Sequence, residues 1–351
     1  MYMTEEQFDL LHRSRRHVPR YLFRAFSDKS RGGIGLNNFE EILPDDTNWS
    51  SPQNAGEAGT RRMLEEHLLW HYDHPSAFTS WSSSLLWVIR HALAKKYIKE
   101  EDVYICNLDT SNYGIPVYPA TALYDAYSLT PRPTSRYVQP DLSRHYYYGE
   151  YLLHGPICSG TAKFEVVCLD ELEAEGMYIL LPELTSDSER RRDGLARTVR
   201  DTRDRLSSPS LLPSQVRQWH PENTRFAKRL GSCFGDASVF PVAAAFLSLR
   251  RWNAGQSSQN GIDDILNALR HYPMPENLGG EEDFGDDIAD YERYKPREAL
   301  FFRTLLEQLR NRNAERKIEH EAEREAQILM GHLSCESYSL QAQVCARLIY
   351  L

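Results

Sequence analysis

The sequence predicts an α+β protein: a mixed sheet with flanking helices, followed by a mostly helical C-terminal region. Three observations predict it. Short runs rich in aromatic and β-branched residues, alternating with period two, recur between Tyr21 and Leu169. Between them apolar residues return at helical spacing, as in Leu85, Ile89 and Ala92. From Leu172 onward the strand signals stop and charged, helix-period segments take over. With 351 residues, 41% of them apolar, the chain can bury one large core or two ordinary ones. The shift in character divides it into residues 18–182, the sheet-bearing domain, and 183–351, a helical extension with an acidic linker near 279–292.

Thr4 to Gln7 forms a capping-box start for a first helix, with Phe8 and Leu11 on one face and a stop before Pro19. Arg20–Phe26 reads as a strand, with Leu22, Arg24 and Phe26 on one face and Tyr21 and Phe23 on the other. Arg24 thus shares a face with apolar residues. Either it meets a partner in a core or cleft, or it snorkels from the strand end to water. Ser27 to Gly35 (SDKSRGGIG) lacks the ending of a phosphate-binding loop and reads as a flexible turn, or as backbone that a ligand can approach. After a polar loop, Thr60–His71 is helical with Met63, Leu64 and Leu68 inward. His67, His71 and His74, with Asp73 nearby, have the one metal-like spacing. No catalytic glutamate sits between them, and packing or surface histidines are the reading, with no metal expected.

Ala77 to Ala94 (AFTSWSSSLLWVIRHALA) changes period midway. A strand through Trp81 gives way to a helix from Leu85, and Ser82, Ser83 and Ser84 lie at the change. Their hydroxyls can cap the free amides of the helix. They would also stand on the lip of any cleft the strand borders.

Val103–Asp109 is a further strand, Pro119–Leu129 a short helix, and Pro131–Pro140 an exposed loop. Tyr146 to Ile157 is a tyrosine-rich strand with one carboxylate, Glu150, and an end at Gly155-Pro156. That glutamate is either a solvated outward position or a site residue. Lys163–Leu169 closes the strand series. Glu189 to Leu206 holds seven arginines among four acids, a solvated helix face rather than a nucleic-acid surface. Val242–Leu249 is an apolar helix. Pro296–Leu333 is a long charged helix with Leu305 and Leu309 on its apolar stripe, a surface suited to a protein partner.

A net charge of −9 argues against general binding of nucleic-acid backbones, while leaving room for an anionic small molecule held by a few local cations. No stretch approaches the ~18 apolar residues of a membrane span. The charged start is unlike a signal peptide, and the six cysteines are scattered without a CxxC pair. These features predict a soluble intracellular protein, cytoplasmic or nuclear.

Arg24 after Tyr21-Leu22-Phe23, Ser80-Trp81-Ser82 after Phe78-Thr79, and Glu150 before Tyr151-Leu152-Leu153-His154-Gly155-Pro156-Ile157 resemble, in order and context, the arginine–serine–glutamate arrangement of the ADP-ribosyltransferase superfamily, in its cholera-toxin-like clade. The segments LFRAFS and YYYGEYLLHG also resemble an uncharacterised domain common in filamentous fungi. The resemblance spans about Val18 to Pro182. It implies a split mixed sheet and NAD as substrate, with transfer of ADP-ribose to an unknown protein, small-molecule acceptor or water. It further implies Glu150 as the catalytic carboxylate and Arg24 as the fork that holds pyrophosphate or ribose. Ser80 would orient Glu150, with Ser82, Tyr147 and Tyr148 completing the NAD site. The chain departs from the pattern twice. Trp81 stands where threonine is usual, and Tyr148 stands two residues before Glu150, where arginine-modifying members carry Glu or Gln. NAD hydrolysis, another acceptor, or a catalytically inactive binding module are the alternatives those departures leave.

Overall fold

The computed structural model describes residues 2–31, 35–46, 56–68, 75–112, 117–129, 147–189, 194–207, 221–250, 259–277 and 296–349. The expected 131–140 loop, the 279–292 linker, His71 and His74 lie outside them. The chain forms two compact units, Met1–Leu306 and Glu307–Leu351.

In the first unit, α1 (Glu5–Ser14) begins at the expected capping box: the Thr4 hydroxyl accepts from Gln7 N, and the Gln7 side chain accepts from Thr4 N. Its buried face differs from the expected one. Gln7 and Leu11 face inward while Phe8 is 54% exposed, because the Gln7 amide also bonds Glu57 and the carbonyl of Ala126. Strand β1 (Tyr21–Phe26) follows, then the short β2 (Glu41–Ile42) and α2 (Gly56–Leu68), which turns Leu64 and Leu68 inward. Strand β3 (Phe78–Ser82) passes through the serine turn into α3 (Leu85–Tyr97). Ser84 is the N-cap, accepting from Trp87 N at 3.0 Å. β4 (Tyr104–Asp109), β5 (Val117–Pro119) and α4 (Ala120–Ala126) come next. The expected Tyr146–Ile157 strand is divided: β6 is Glu150–His154 and β7 is Ile157–Cys158, separated by Gly155 at φ +86°. β8 (Lys163–Cys168) completes the strands.

Six strands form one sheet in the order β5-β6-β3-β1-β4-β8, and β2 pairs with β7 separately. The expectation of a mixed sheet is corrected, since every neighbouring pair is antiparallel. The reason lies in the crossover. β3 and β4 run the same way, but β1 lies between them, and α3 packs on both β1 and β4. β1 pairs with β4 along its whole length, and β3 with β6 likewise. Between β1 and β3, however, only Phe23↔Ser82 is in register. The sheet is therefore two ladders joined at one point.

One buried cluster includes Leu22, Phe26, Trp81, Leu108, Tyr151 and Phe164. Another gathers Leu11, Leu64, Phe78, Leu123, Tyr147 and Leu152 beneath α1, α2 and α4. Trp81 is 1% exposed, and its indole N–H is satisfied within its own strand by the Thr79 hydroxyl at 3.0 Å. The bulky departure from the serine motif is thus a core residue, and truncating it to alanine would cost about 3–5 kcal/mol.

The C-terminal elements of this unit are α5 (Leu169–Ala174), α6 (Met177–Leu180), α7 (Leu195–Ser207), α8 (Pro221–Ser232), α9 (Val239–Ser248) and α10 (Gln259–Leu269). α9 is buried at every position, as a helix apolar on all sides must be. A Cβ on Gly231 of α8 would stand 2.6 Å from the carbonyl of Val239, so these two helices meet backbone to backbone. The Arg90 guanidinium donates to the carbonyls of Glu183 and Leu184, and Asn107 donates to the Ser238 hydroxyl at 3.1 Å. These bonds tie the helical layer to α3 and the sheet. The last helix, α11 (Arg297–Ile349), places Phe302 against Tyr21 and Phe23, which closes the second face of β1.

In the second unit α11 continues as a charged helix. Arg312 pairs with Glu315 and Glu319 at 3.2 and 3.1 Å, and Ile318 and Ile328 are exposed. Among the described residues, no helix is long and apolar enough to cross a membrane.

Candidate active site

A cleft of about 1000 Å³ opens where the two ladders meet. Its strand-built part comes from β1, β3 and the Tyr148–Glu150 segment, and its helix-built part from α3, α7 and Pro296. Arg24, Ser80, Ser82, Tyr148 and Glu150 all line it.

Ser80 is the node of the strand-built part. Its carbonyl accepts from Arg24 Nη1 at 2.8 Å, and its hydroxyl lies 2.8 Å from His67 Nε2. That hydroxyl also acts on the Glu150 carboxyl, lowering its pKa against the effect of burial. His67 Nδ1 in turn lies 2.8 Å from the Ser76 hydroxyl. One assignment gives each proton an acceptor: Ser76 donates to His67, His67 to Ser80, and Ser80 to Glu150. The imidazole is neutral in that chain. Its pKa is pushed down to about 3, first by desolvation and then by the positive charges of Arg24 and Arg31.

Glu150 opens β6, opposite Ser82 and diagonal to Ser80. Burial raises its pKa to about 7, against the lowering effect of the Ser80 bond. Arg24, desolvated to a pKa of about 10, remains charged at neutral pH. Its Nε atom is sealed from solvent without a hydrogen-bond partner, so the guanidinium is not saturated by protein groups. Ahead of Glu150, Gly149 sits at φ +81°, and a Cβ there would stand 2.9 Å from Pro296 Cγ. Only glycine fits both the conformation and the contact.

The Ser82 hydroxyl accepts from Ser84 N at 3.1 Å, which shapes the turn. Tyr147 does not line the cleft: it is 2% exposed, its hydroxyl donates to the carbonyl of Leu68, and its ring packs near Tyr124. It borders instead a second cavity of about 290 Å³ that shares Tyr148, Gly149 and Glu150 with the cleft.

The helix-built part is charged. Arg197, Arg200 and Arg203 of α7 reach the cleft, together with Lys95 of α3, and Lys29 and Arg31 of the glycine-rich loop add to its rim. Arg203 forms a two-pronged pair with Glu298, both bonds at 2.7 Å, and Glu298 also accepts from the Ser84 hydroxyl. This buried latch fastens the start of α11 and α7 to the cap of α3. The arginines read from sequence as a solvated face thus partly serve the cleft.

Sequence reasoning missed two participants. His67 carried only a metal-like spacing with His71 and His74, which lie outside the described residues. Glu298 carried no local signal at all.

Residues 17–162 match a family model described as a domain of unknown function, DUF7587. The matched segment contains Arg24, His67, Ser80 and Glu150, and it ends before α7 and Glu298. No curated protein matches the chain, and no solved structure does.

Proposed function

We propose that this cleft cleaves the nicotinamide–ribose bond of NAD, in the manner of an ADP-ribosyltransferase with the arginine–serine–glutamate arrangement. One observation carries the reading. Arg24, Ser80 and Glu150, more than 50 positions apart in sequence, converge on a single cleft through the Ser80 carbonyl and hydroxyl.

The chemistry follows from the groups. The C–N bond breaks with its electron pair leaving on nicotinamide, and an oxocarbenium-like centre develops on the ribose. Ionised Glu150 stabilises that charge and holds a ribose hydroxyl. A carboxylate preorganised this way contributes roughly 100- to 1,000-fold in rate. Arg24 offers its unsaturated fork to the pyrophosphate or ribose oxygens. Ser80, held by His67, keeps Glu150 aimed. The acceptor oxygen then bonds to the ribose carbon and gives up its proton. Tyr148 supplies neither a carboxylate nor an amide beside Glu150, which favours water or a non-guanidinium acceptor over arginine.

The test is nicotinamide release from NAD by the purified chain beside Glu150→Gln and Arg24→Ala. Release in the wild type that vanishes in Glu150→Gln is expected. A wild type that neither binds NAD nor releases nicotinamide would overturn the reading and leave a binding module built on the same scaffold.

A further inference from the structure

We infer that α7 carries a phosphate-binding subsite, with Arg197 and Arg200 receiving a phosphoryl group of the ligand that occupies the cleft. The inference rests on the dinucleotide reading for the identity of the ligand, but on the cleft alone for its charge. α7 lies outside the segment that the family model matches, so the subsite belongs to the helical part of the chain.

The electrostatics are local and run against the whole. The chain has a net charge of −9, yet seven lysines and arginines line the cleft against four carboxylates. Three of those carboxylates are already engaged, two of them by cations of the cleft itself: Asp45 with Arg31 at 3.3 Å, Glu100 with Lys95 at 3.1 Å, and Glu66 with Arg62, outside the lining, at 2.8 Å. The fourth is Glu150. His67 and His91, both neutralised by burial with pKa values near 3, add no charge. Positive charge in the cleft is therefore fixed across the physiological range, and it is carried by guanidinium and ammonium groups.

The arginines of α7 divide by role along one helix face. Arg203 is committed to Glu298, and this pair anchors the C-terminal half of the helix. Arg200 and Arg197 lie one and two turns toward the helix start and are exposed at the cleft. Exposed guanidinium groups at the lip, on a helix anchored by Arg203, suit capture of a planar-edged oxyanion from water. Arg24, half-buried in the strand-built part, lines the same cleft as a second cation. A ligand with two separated anionic groups matches the pair of donor sets. The phosphoryl group at α7 is either one phosphate of a pyrophosphate or an additional phosphate monoester.

The experiment titrates the full-length chain with inorganic pyrophosphate, NAD and NADP by calorimetry. Wild type is compared with Arg200→Ala, with Arg197→Ala/Arg200→Ala, and with Arg225→Ala of α8 as a control; circular dichroism checks each fold. Loss of roughly tenfold in pyrophosphate affinity in Arg200→Ala, a larger loss in the double variant and none in the control are expected. A loss confined to NADP assigns the subsite to a phosphate monoester, and an equal loss for NAD assigns it to the pyrophosphate. If the α7 variants bind every ligand within twofold of wild type, or if wild type binds none, the inference is overturned. If the α7 variants lose pyrophosphate while wild type releases no nicotinamide from NAD, the subsite stands and the NAD-cleaving reading falls.

Discussion

The two parts of the cleft are built on opposite physical plans. The strand-built part holds few polar groups, each sunk into the sheet and tied to a neighbour: Arg24 to the Ser80 carbonyl, Ser80 to His67 and Glu150. The helix-built part holds many charges, and its arginines Arg197 and Arg200 stand near water, while the Arg203–Glu298 and Lys95–Glu100 pairs are largely shielded. Desolvation shifts the groups of the first part far from their ordinary titration ranges. On the proposed reading the difference separates two tasks. Reactive groups need a low-dielectric, preorganised setting, whereas capture of an anion needs reachable charge.

That contrast can be broken most directly at Glu150. In Glu150→Gln, nicotinamide release should fall by roughly 100- to 1,000-fold while NAD affinity changes by less than about tenfold. An equal loss of affinity would show that the strand-built part binds rather than reacts. The second largest effect concerns Glu298, the buried carboxylate of the helix-built part. Glu298→Ala leaves the Arg203 guanidinium and the Ser84 hydroxyl without their partner, and urea unfolding should show a loss of about 3 kcal/mol. Arg312→Ala, in an exposed network of the second unit, should cost about 0.5 kcal/mol or less.

A third test uses pH. The folded pKa of Glu150 is about 7 against 4.5 for the ordinary group. The native state therefore binds more protons between those values, and stability falls as pH rises through that window. Below about pH 4.5 the penalty is absent, and above about 7 it is complete. Because Glu150 is partly exposed, screening trims it to about 2 kcal/mol. Glu150→Gln should accordingly raise the melting temperature at pH 8 and change it little at pH 4.5. His67 works the other way, since a histidine kept neutral in the fold destabilises the native state as pH drops from 6.5 towards 3. In kinetics the effect at that residue is expected to be smaller than at Glu150. His67→Phe should lower nicotinamide release about tenfold and displace the neutral-range limb of the pH–rate profile, by loosening Ser80. An unchanged profile would make His67 a packing residue only.

Legibility in the sequence followed the range of the interaction that decides each feature. The Thr4 capping box, the Ser84 cap and the strands β1, β3, β4 and β8 were readable, because period and capping act within a few residues. Phe8 was misplaced because the face of α1 is chosen by Gln7 reaching Glu57 and Ala126, far along the chain. The all-antiparallel pairing could not be read, since it depends on β1 lying between two strands that run the same way. Arg24, Ser80 and Glu150 were named through a pattern of order and context, and they line one cleft together with Tyr148 and Ser82. Tyr147 was named with the site but packs under it, because neighbours on a turn face different ways. His67 meets Ser80 from a helix 13 positions away, and only the tertiary fold brings the two together.

The latch between Ser84 and Glu298 spans 214 positions. During synthesis at about 5–20 residues per second, the serine is made roughly 10 to 40 seconds before the glutamate that binds it. Within that interval Glu150 is made first, then α7 (Leu195–Ser207), and Glu298 only about 90 residues after α7. The latch is thus closed last, and a chain broken off between α7 and Glu298 holds both parts of the cleft without the contact that fastens them.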